Sequence, residues 1–146
     1  MSDVLYSRAQ VRDAIQAAED LLLDGLHLMP PDPGVEDLLV AAVLVLLDVP
    51  HAPWETVLTA YAGLRRDRPP APDDEVARYG TWVVSRAVNA GVDLVGDRVG
   101  EPEYSDLRNL FVNTILELLW DPDATFEDVT LSAYGEPPRE VLSWVR

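Results

Sequence analysis

Apolar side chains near the start of the chain recur at the three- and four-residue spacing of a helix. The members of this stripe are Val11, Ile15, Ala18, Leu21 and Leu22. The spacing predicts an amphipathic helix with one buried face. Ser7 and Gln10 have the spacing of a capping box, so we place the first helical residue near Arg8. Gly25 follows the stripe and predicts the end of this helix.

The next apolar segment runs from Leu38 to Leu47 without a polar residue. Asp32 can cap a helix that has Pro33 at its first position. Because the segment is apolar on every face, we predict a central helix near residues 35–48 with other helices packed around it. The apolar run is about half as long as a membrane-spanning helix requires, so a buried helix is the favoured interpretation.

A third and a fourth helix are predicted in the middle of the chain. Pro53 begins the third helix, and the proline-rich residues 65–72 after it predict a loop. Asp73 or Asp74 caps the fourth helix, and Gly91 predicts its end. The expected core stripe of the fourth helix consists of Val76, Tyr79, Val83, Ala87 and Ala90.

The last third of the chain contains one clear helix and two segments with alternative interpretations. Ser105 caps a fifth helix that is predicted to end at Trp120, and Pro138 begins a terminal helix. Residues 92–100 are a helical extension or an extended segment. Residues 125–135 form a short helix or a strand. The helix signals are Thr125, Asp128 and Gly135, and the strand signals are Val129, Leu131 and Ala133.

These segments together predict an all-α fold. We expect a single compact helical bundle of about five to seven helices, in one acidic domain over residues 1–146. Residues 11–27 and 35–51 also share eight identities at an offset of 24. A common helical composition or a duplicated helix explains this similarity. No third copy follows, so no repeat array is predicted.

Composition narrows the class of partner. The formal net charge is −15, all eleven basic residues are arginine, and the chain contains neither lysine nor cysteine. This charge argues against DNA, RNA and anionic membranes, because binding phosphate groups requires clustered basic residues. Without cysteines or a signal peptide pattern, a cytoplasmic location is expected. The lack of lysine reflects a GC-rich codon composition or selection against a nucleophilic amine.

Carboxylates dominate two long stretches of the sequence. Residues 13–64 contain nine carboxylates and residues 109–138 contain six, and neither stretch contains an arginine. The second stretch also carries aromatic residues, a combination that suits the binding of a basic protein. The alternative interpretation is an acidic surface that serves solubility. The candidate partner-binding residues are Glu117, Trp120, Asp121, Asp123, Phe126, Glu127, Asp128 and Tyr134.

A second candidate site lies on the predicted fourth helix. Arg78, Trp82 and Arg86 are spaced at i, i+4 and i+8, away from the predicted core stripe. An indole between two guanidinium groups can bind an anionic aromatic ligand or anchor a partner chain. The alternative is an amphipathic tryptophan packed on a neighbouring helix and covered by the arginine stems.

Both histidines of the chain occur in Asp-x-x-His motifs. Asp24 precedes His27 and Asp48 precedes His51, a spacing at which a carboxylate and an imidazole on a helix can share a metal. A glycine or a proline inside each motif weakens this interpretation, because either residue interrupts the helix between the two ligands. We expect no cofactor and no metal, and these four residues are the weak metal candidates.

The motifs of common enzyme classes do not occur in this sequence. It has no Walker-type loop, no GxGxxG, no GxSxG and no HExxH. The favoured hypothesis is a non-enzymatic module that binds a basic protein, of inhibitor, immunity or antitoxin-like, or regulatory type. One alternative is a helical small-molecule-binding protein or enzyme that uses Arg78, Trp82 and Arg86. Another is a homo-oligomeric structural subunit with Trp82, Trp120 or Trp144 at its interface.

Overall fold

The computed structural model describes residues 4–26, 33–64, 75–99 and 104–129. The elements in these ranges are β1 (Leu5–Tyr6), α1 (Arg8–Leu26), α2 (Pro33–Asp48), α3 (Trp54–Leu64), β2 (Tyr79–Gly80), α4 (Thr81–Val99) and α5 (Tyr104–Trp120). Residues 126–129 form a further helical turn. The prediction of an all-α fold with five to seven helices is therefore confirmed. The chain divides into two compact units, residues 1–13 with 31–100 (unit 1) and residues 14–30 with 101–146 (unit 2).

Helix α2 lies at the centre of unit 1, as predicted. Every residue from Leu39 to Leu44 is buried, and the helix packs against α3 and α4. Gly91 of α4 lies directly against Val43 of α2. A Cβ atom at Gly91 would be 2.7 Å from Val43 Cγ2 and 3.3 Å from its backbone nitrogen. The glycine predicted to end the fourth helix therefore lies within it and allows the close approach of α2.

The predicted beginning of the fourth helix is wrong. Helix α4 begins at Thr81, because the two residues before it pair with β1 as an antiparallel ribbon. Tyr6 is opposite Tyr79 in this ribbon, and the Arg78 N–H donates to the carbonyl oxygen of Tyr6 at 3.1 Å. Val76, predicted as core, is 51% exposed. The residues of α4 that are buried are Val84, Ala87, Val88, Gly91, Val92 and Val95.

The predicted beginning of the fifth helix is wrong, because α5 begins at Tyr104 and Ser105 is its second residue instead of its cap. The other helix ends agree with the sequence signals to within one residue, except at two glycines. Helix α2 begins at Pro33, α3 begins one residue after Pro53, and α5 ends at Trp120. Helix α4 continues through Gly91 to Val99, which makes residues 92–99 helical. The predicted loop at 65–72 lies outside the described residues.

The capping box at the start of α1 forms as predicted. The Ser7 N–H donates to Gln10 Oε1 at 2.8 Å, and the Gln10 N–H donates to Ser7 Oγ at 3.1 Å. These reciprocal bonds satisfy two backbone donors near the helix terminus, which explains why α1 begins at Arg8.

Unit 2 contains the later part of α1, helix α5 and the helical turn at 126–129. Its largest fully buried apolar side chains are Ile15, Leu110, Ile115 and Val129. Gly25 is helical, so the prediction that it ends α1 is wrong. A Cβ atom at Gly25 would be 2.5 Å from the Phe126 ring, so this glycine makes room for the aromatic side chain.

The turn at 126–129 has the capping box that the sequence suggested. The Thr125 N–H donates to Asp128 Oδ2 at 3.0 Å, and the Asp128 N–H donates to Thr125 Oγ1 at 3.2 Å. Val129 is therefore helical, which favours the helix among the two interpretations of this segment. Leu131, Ala133, Gly135 and the predicted helix at Pro138 lie outside the described residues.

No helix within the described ranges combines the length and the apolar character needed to cross a membrane.

Candidate functional site

The two units differ in their balance of charge. The described residues of unit 2 include nine carboxylates and one arginine, a formal charge of −8. Those of unit 1 include eight carboxylates and five arginines, a formal charge of −3. Most described cations therefore belong to unit 1, and most of the net negative charge of the described residues belongs to unit 2.

Three side chains of unit 1 converge on Asp48, the last residue of α2. Arg8 Nη1 lies 2.9 Å from Asp48 Oδ2 and also donates to the carbonyl oxygen of Leu44 at 3.1 Å. Because α2 has no basic residue in its last turn, Arg8 supplies the positive charge that a helix C-terminus favours. The Tyr79 hydroxyl donates to Asp48 Oδ1 at 2.7 Å.

Arg78 belongs to this same cluster. Its Nε donates to the Tyr79 hydroxyl at 2.9 Å, and its Nη2 lies 4.0 Å from Asp48 Oδ2. Since Arg78 precedes α4, it does not continue a helical stripe with Trp82 and Arg86 as the sequence suggested.

The other two members of that stripe are in contact on α4. The Arg86 guanidinium lies over the Trp82 ring, 5.4 Å from its centroid. Trp82 is 71% exposed. The geometry is that of a cation–π pair with a largely open indole.

The candidate partner-binding residues of unit 2 follow the C-terminus of α5. Trp120, the last residue of this helix, is 57% exposed. Asp121 Oδ1 accepts the N–H of Asp123 at 3.1 Å, and the Asp121 N–H donates to the carbonyl oxygen of Glu117 at 2.8 Å. Asp121 therefore shapes the turn that follows Trp120.

The rest of this surface comes from the helical turn. Glu127 and Asp128 are exposed, whereas Phe126 is half-buried against Gly25. Trp120 is thus the more exposed of the two described aromatic candidates, and Tyr134 lies outside the described residues. We call Glu117, Trp120, Asp121, Asp123, Phe126, Glu127 and Asp128 the acidic segment.

Beside the acidic segment is an open groove of about 480 Å³. One side is a single face of α1, whose residues at i, i+3, i+4 and i+7 are Ala17, Asp20, Leu21 and Asp24. The other side consists of Leu118, Pro122 and Ala124. We call this feature the α1 groove. Sequence reasoning did not single it out, because its two sides are distant in the chain and no local pattern joins them.

The four weak metal candidates are placed in different surroundings. Asp24 lines the α1 groove, Asp48 is engaged with Arg8 and Tyr79, and His51 is exposed in the turn after α2. His27 lies outside the described residues. Within the ranges that the structure describes, no group of three or more His, Cys, Asp or Glu residues could hold a metal ion.

Comparisons with protein families, with curated proteins and with solved structures find no match for this chain.

Proposed function

We propose that this protein is a non-enzymatic binding module that engages a basic protein through unit 2. It acts as an inhibitor, an immunity or antitoxin-like protein, or a regulator, in the cytoplasm. The observation that carries the proposal is the charge of unit 2, with nine carboxylates and one arginine among its described residues. An exposed tryptophan, Trp120, is the last residue of α5 and lies between Glu117 and Asp121 in the sequence.

Charge and the indole serve different steps of binding. A negative surface accelerates encounter with a positive one and discriminates against acidic competitors. Trp120 supplies apolar area that a partner can desolvate, and tryptophan is enriched among residues whose truncation costs the most binding energy. The described part of unit 1 has no comparable excess, because five arginines accompany its eight carboxylates. Two of these arginines, Arg8 and Arg78, lie at Asp48.

The first experiment compares Trp120 with Trp82, the two tryptophans that are exposed among the described residues. The tagged full chain captures proteins from source cells, mass spectrometry identifies the basic partner, and calorimetry with the purified pair measures Kd. Trp120→Ala should weaken binding about 30-fold, the effect of losing about 2 kcal/mol. The matched control is Trp82→Ala in unit 1, which should change Kd less than twofold. A loss confined to Trp82→Ala would contradict the proposal.

The second experiment varies ionic strength with the same purified pair. The association rate and the affinity should both fall between low and moderate NaCl, because salt screens the attraction of exposed charges. An affinity that does not change over this range would show that charge does not drive binding.

One observation favours a second candidate function. Trp82 is open to solvent and stacks with Arg86, an arrangement that suits an anionic aromatic ligand. Mass spectrometry of the purified protein should then detect a co-purifying small molecule that Trp82→Ala and Arg86→Gln both lose. Identical spectra for the original protein and both variants would eliminate this candidate.

A further inference from the structure

The α1 groove combines an apolar lining with two carboxylates on one helix face. Ala17 and Leu21 occupy successive turns of α1, and so do Asp20 and Asp24. Leu118 and Ala124 on the opposite side are buried, whereas Asp20 and Asp24 are exposed. Its occupant therefore needs an apolar part and a positive part on the same side chain.

We propose that the α1 groove binds an arginine side chain presented by a basic segment of the partner protein. This inference rests on the proposed function and names the residue type that unit 2 recognises. The aliphatic stem would lie along Leu21 and Leu118, and the guanidinium would bind Asp20 and Asp24. A volume of about 480 Å³ leaves room for this side chain and part of its neighbouring chain.

Charge complementarity identifies a cation as the occupant. The groove belongs to the unit with nine carboxylates and one arginine among its described residues. Asp121, Asp123 and Asp128 of the acidic segment add to the same negative field. An anionic side chain would lose hydration there and be repelled by the carboxylates, and a purely apolar side chain would gain nothing from their charge.

The spacing of the two carboxylates favours arginine over lysine. Residues at i and i+4 of a helix have Cβ atoms about 5–6 Å apart. A guanidinium presents five N–H donors in a flat fork and can bind two carboxylates at once, whereas an ammonium group is a compact and strongly hydrated point charge. The stem also contributes by covering apolar surface.

A peptide titration tests the residue type. Hexa-arginine, hexa-lysine and hexa-citrulline are added in turn to the ¹⁵N-labelled full chain, and amide shifts are followed by NMR. Hexa-arginine should move the signals of Leu21, Asp24 and Ala124 and bind at least fivefold more tightly than hexa-lysine. Hexa-citrulline should cause no shift. Equal affinity for the arginine and lysine peptides would overturn the proposal.

A substitution that fills the groove distinguishes binding in the α1 groove from diffuse electrostatic attraction to the acidic surface. Ala17→Phe leaves the net charge unchanged and places a ring in the groove from an exposed helix position. It should weaken hexa-arginine binding at least tenfold. Ala62→Phe, at an exposed position of α3 in unit 1, is the matched control and should change affinity less than twofold. Unaltered binding by Ala17→Phe would overturn the proposal.

Removing the carboxylates provides an independent measurement. Asp20→Asn with Asp24→Asn should weaken hexa-arginine binding at least tenfold. Asp93→Asn with Asp97→Asn is the control, since those exposed residues have the same i, i+4 spacing on α4 in unit 1. Both double variants change the net charge equally. Equal losses in the two would show that only total charge matters and would overturn the proposal.

The same variants distinguish failure of this inference from failure of the proposed function. With the partner protein, Trp120→Ala reports on the function of unit 2, and Ala17→Phe reports on the groove. If Trp120→Ala weakens partner binding and Ala17→Phe does not, the groove proposal is overturned and the proposed function stands. If both weaken it by at least tenfold, both are supported.

Discussion

Two glycines that the local sequence marks as helix ends instead provide space for side chains from distant parts of the chain. Gly25 and Gly91 have the sequence context of helix ends, yet both lie inside helices. Each contacts a side chain from a distant part of the chain, Phe126 for Gly25 and Val43 for Gly91. A missing Cβ serves helix termination and close packing equally well, so the choice depends on what lies opposite.

Gly91→Ala should destabilise the protein by about 1–3 kcal/mol, the usual cost of overpacking a core. The added Cβ would lie 2.7 Å from Val43 Cγ2 and 3.3 Å from a backbone atom of α2. The control is Gly96→Ala on the same helix, where nothing lies within 4 Å. This control should gain up to about 1 kcal/mol from helix propensity. Urea denaturation measures both, and equal signs for the two variants would contradict the packing role of Gly91.

Tyr79 links two charged groups through one hydroxyl. The hydroxyl donates to Asp48 at 2.7 Å and accepts from Arg78 at 2.9 Å. Tyr79→Phe should destabilise the fold by about 1–2 kcal/mol, because hydrogen bonds to charged groups contribute more to stability than those between neutral groups. A double-mutant cycle with Asp48→Asn should give a coupling energy of about 0.5 kcal/mol or more. Additive effects would mean that the two side chains stabilise the fold independently.

Among the secondary-structure elements, helix beginnings divide into two kinds. Those of α1 and the turn at 126–129 depend on capping partners three residues apart, and the sequence predicts both. The beginning of α4 depends on β1, which occupies Tyr79 and Gly80 in a ribbon. Acidic residues at 73 and 74 indicate a helix start locally, but Tyr79 and Gly80 pair with β1 and α4 begins only at Thr81.

Ser7→Ala should destabilise the protein by about 1 kcal/mol through loss of the cap on α1. Ser7 Oγ accepts the N–H of Gln10 at 3.1 Å, and alanine has no acceptor to replace it. Ser7→Gly is the control at the same position and should cost only a few tenths of a kcal/mol. Thermal denaturation followed by circular dichroism measures the two. Glycine costing as much as alanine would mean that the serine acts by packing alone.

For the protein as a whole, folding sorts charge between the two units. Arg8 and Arg78 come from separate parts of the sequence and meet at Asp48 in unit 1. The described part of unit 2 has a single arginine, Arg108, for nine carboxylates. Unit 2 therefore combines carboxylates from both negative stretches of the sequence, three from residues 14–26 of the first and the rest from residues 104–129, and it is the better candidate for attracting a cation.

The net charge of the chain predicts how salt affects its stability. A net charge of −15 repels itself, and salt reduces the repulsion. Raising NaCl from low to physiological concentration should increase Tm by about 2–4 °C, which corresponds to about 1 kcal/mol for a chain of this size.

Charge-neutralising variants show which unit carries the repulsion. Asp20→Asn with Asp24→Asn should reduce the salt-induced increase in Tm more than Asp93→Asn with Asp97→Asn, since Arg98 already neighbours Asp97. Scanning calorimetry at matched protein concentration compares them. Equal reductions would indicate that repulsion is spread evenly over the two units.

The candidate site was partly accessible from sequence. The acidic segment is a run of neighbouring residues, so its carboxylates and Trp120 could be selected by reading along the chain. The α1 groove could not, because Leu21 and Leu118 become neighbours only after folding. The same holds for Arg78, which the helical spacing joined to Trp82 and which instead binds Tyr79 and lies near Asp48.

The sequence alone was enough for the helical class, the apolar character of α2 and the beginnings of α1 and of the turn at 126–129, where the capping boxes form. These features depend on hydrophobic spacing and on hydrogen bonds within one turn, which involve residues only a few positions apart. Folding was required to place Gly25 and Gly91 in packing contacts, to shorten α4 at its beginning and to form the groove. Each of these depends on groups that are distant along the chain, whose packing and pairing no local pattern specifies.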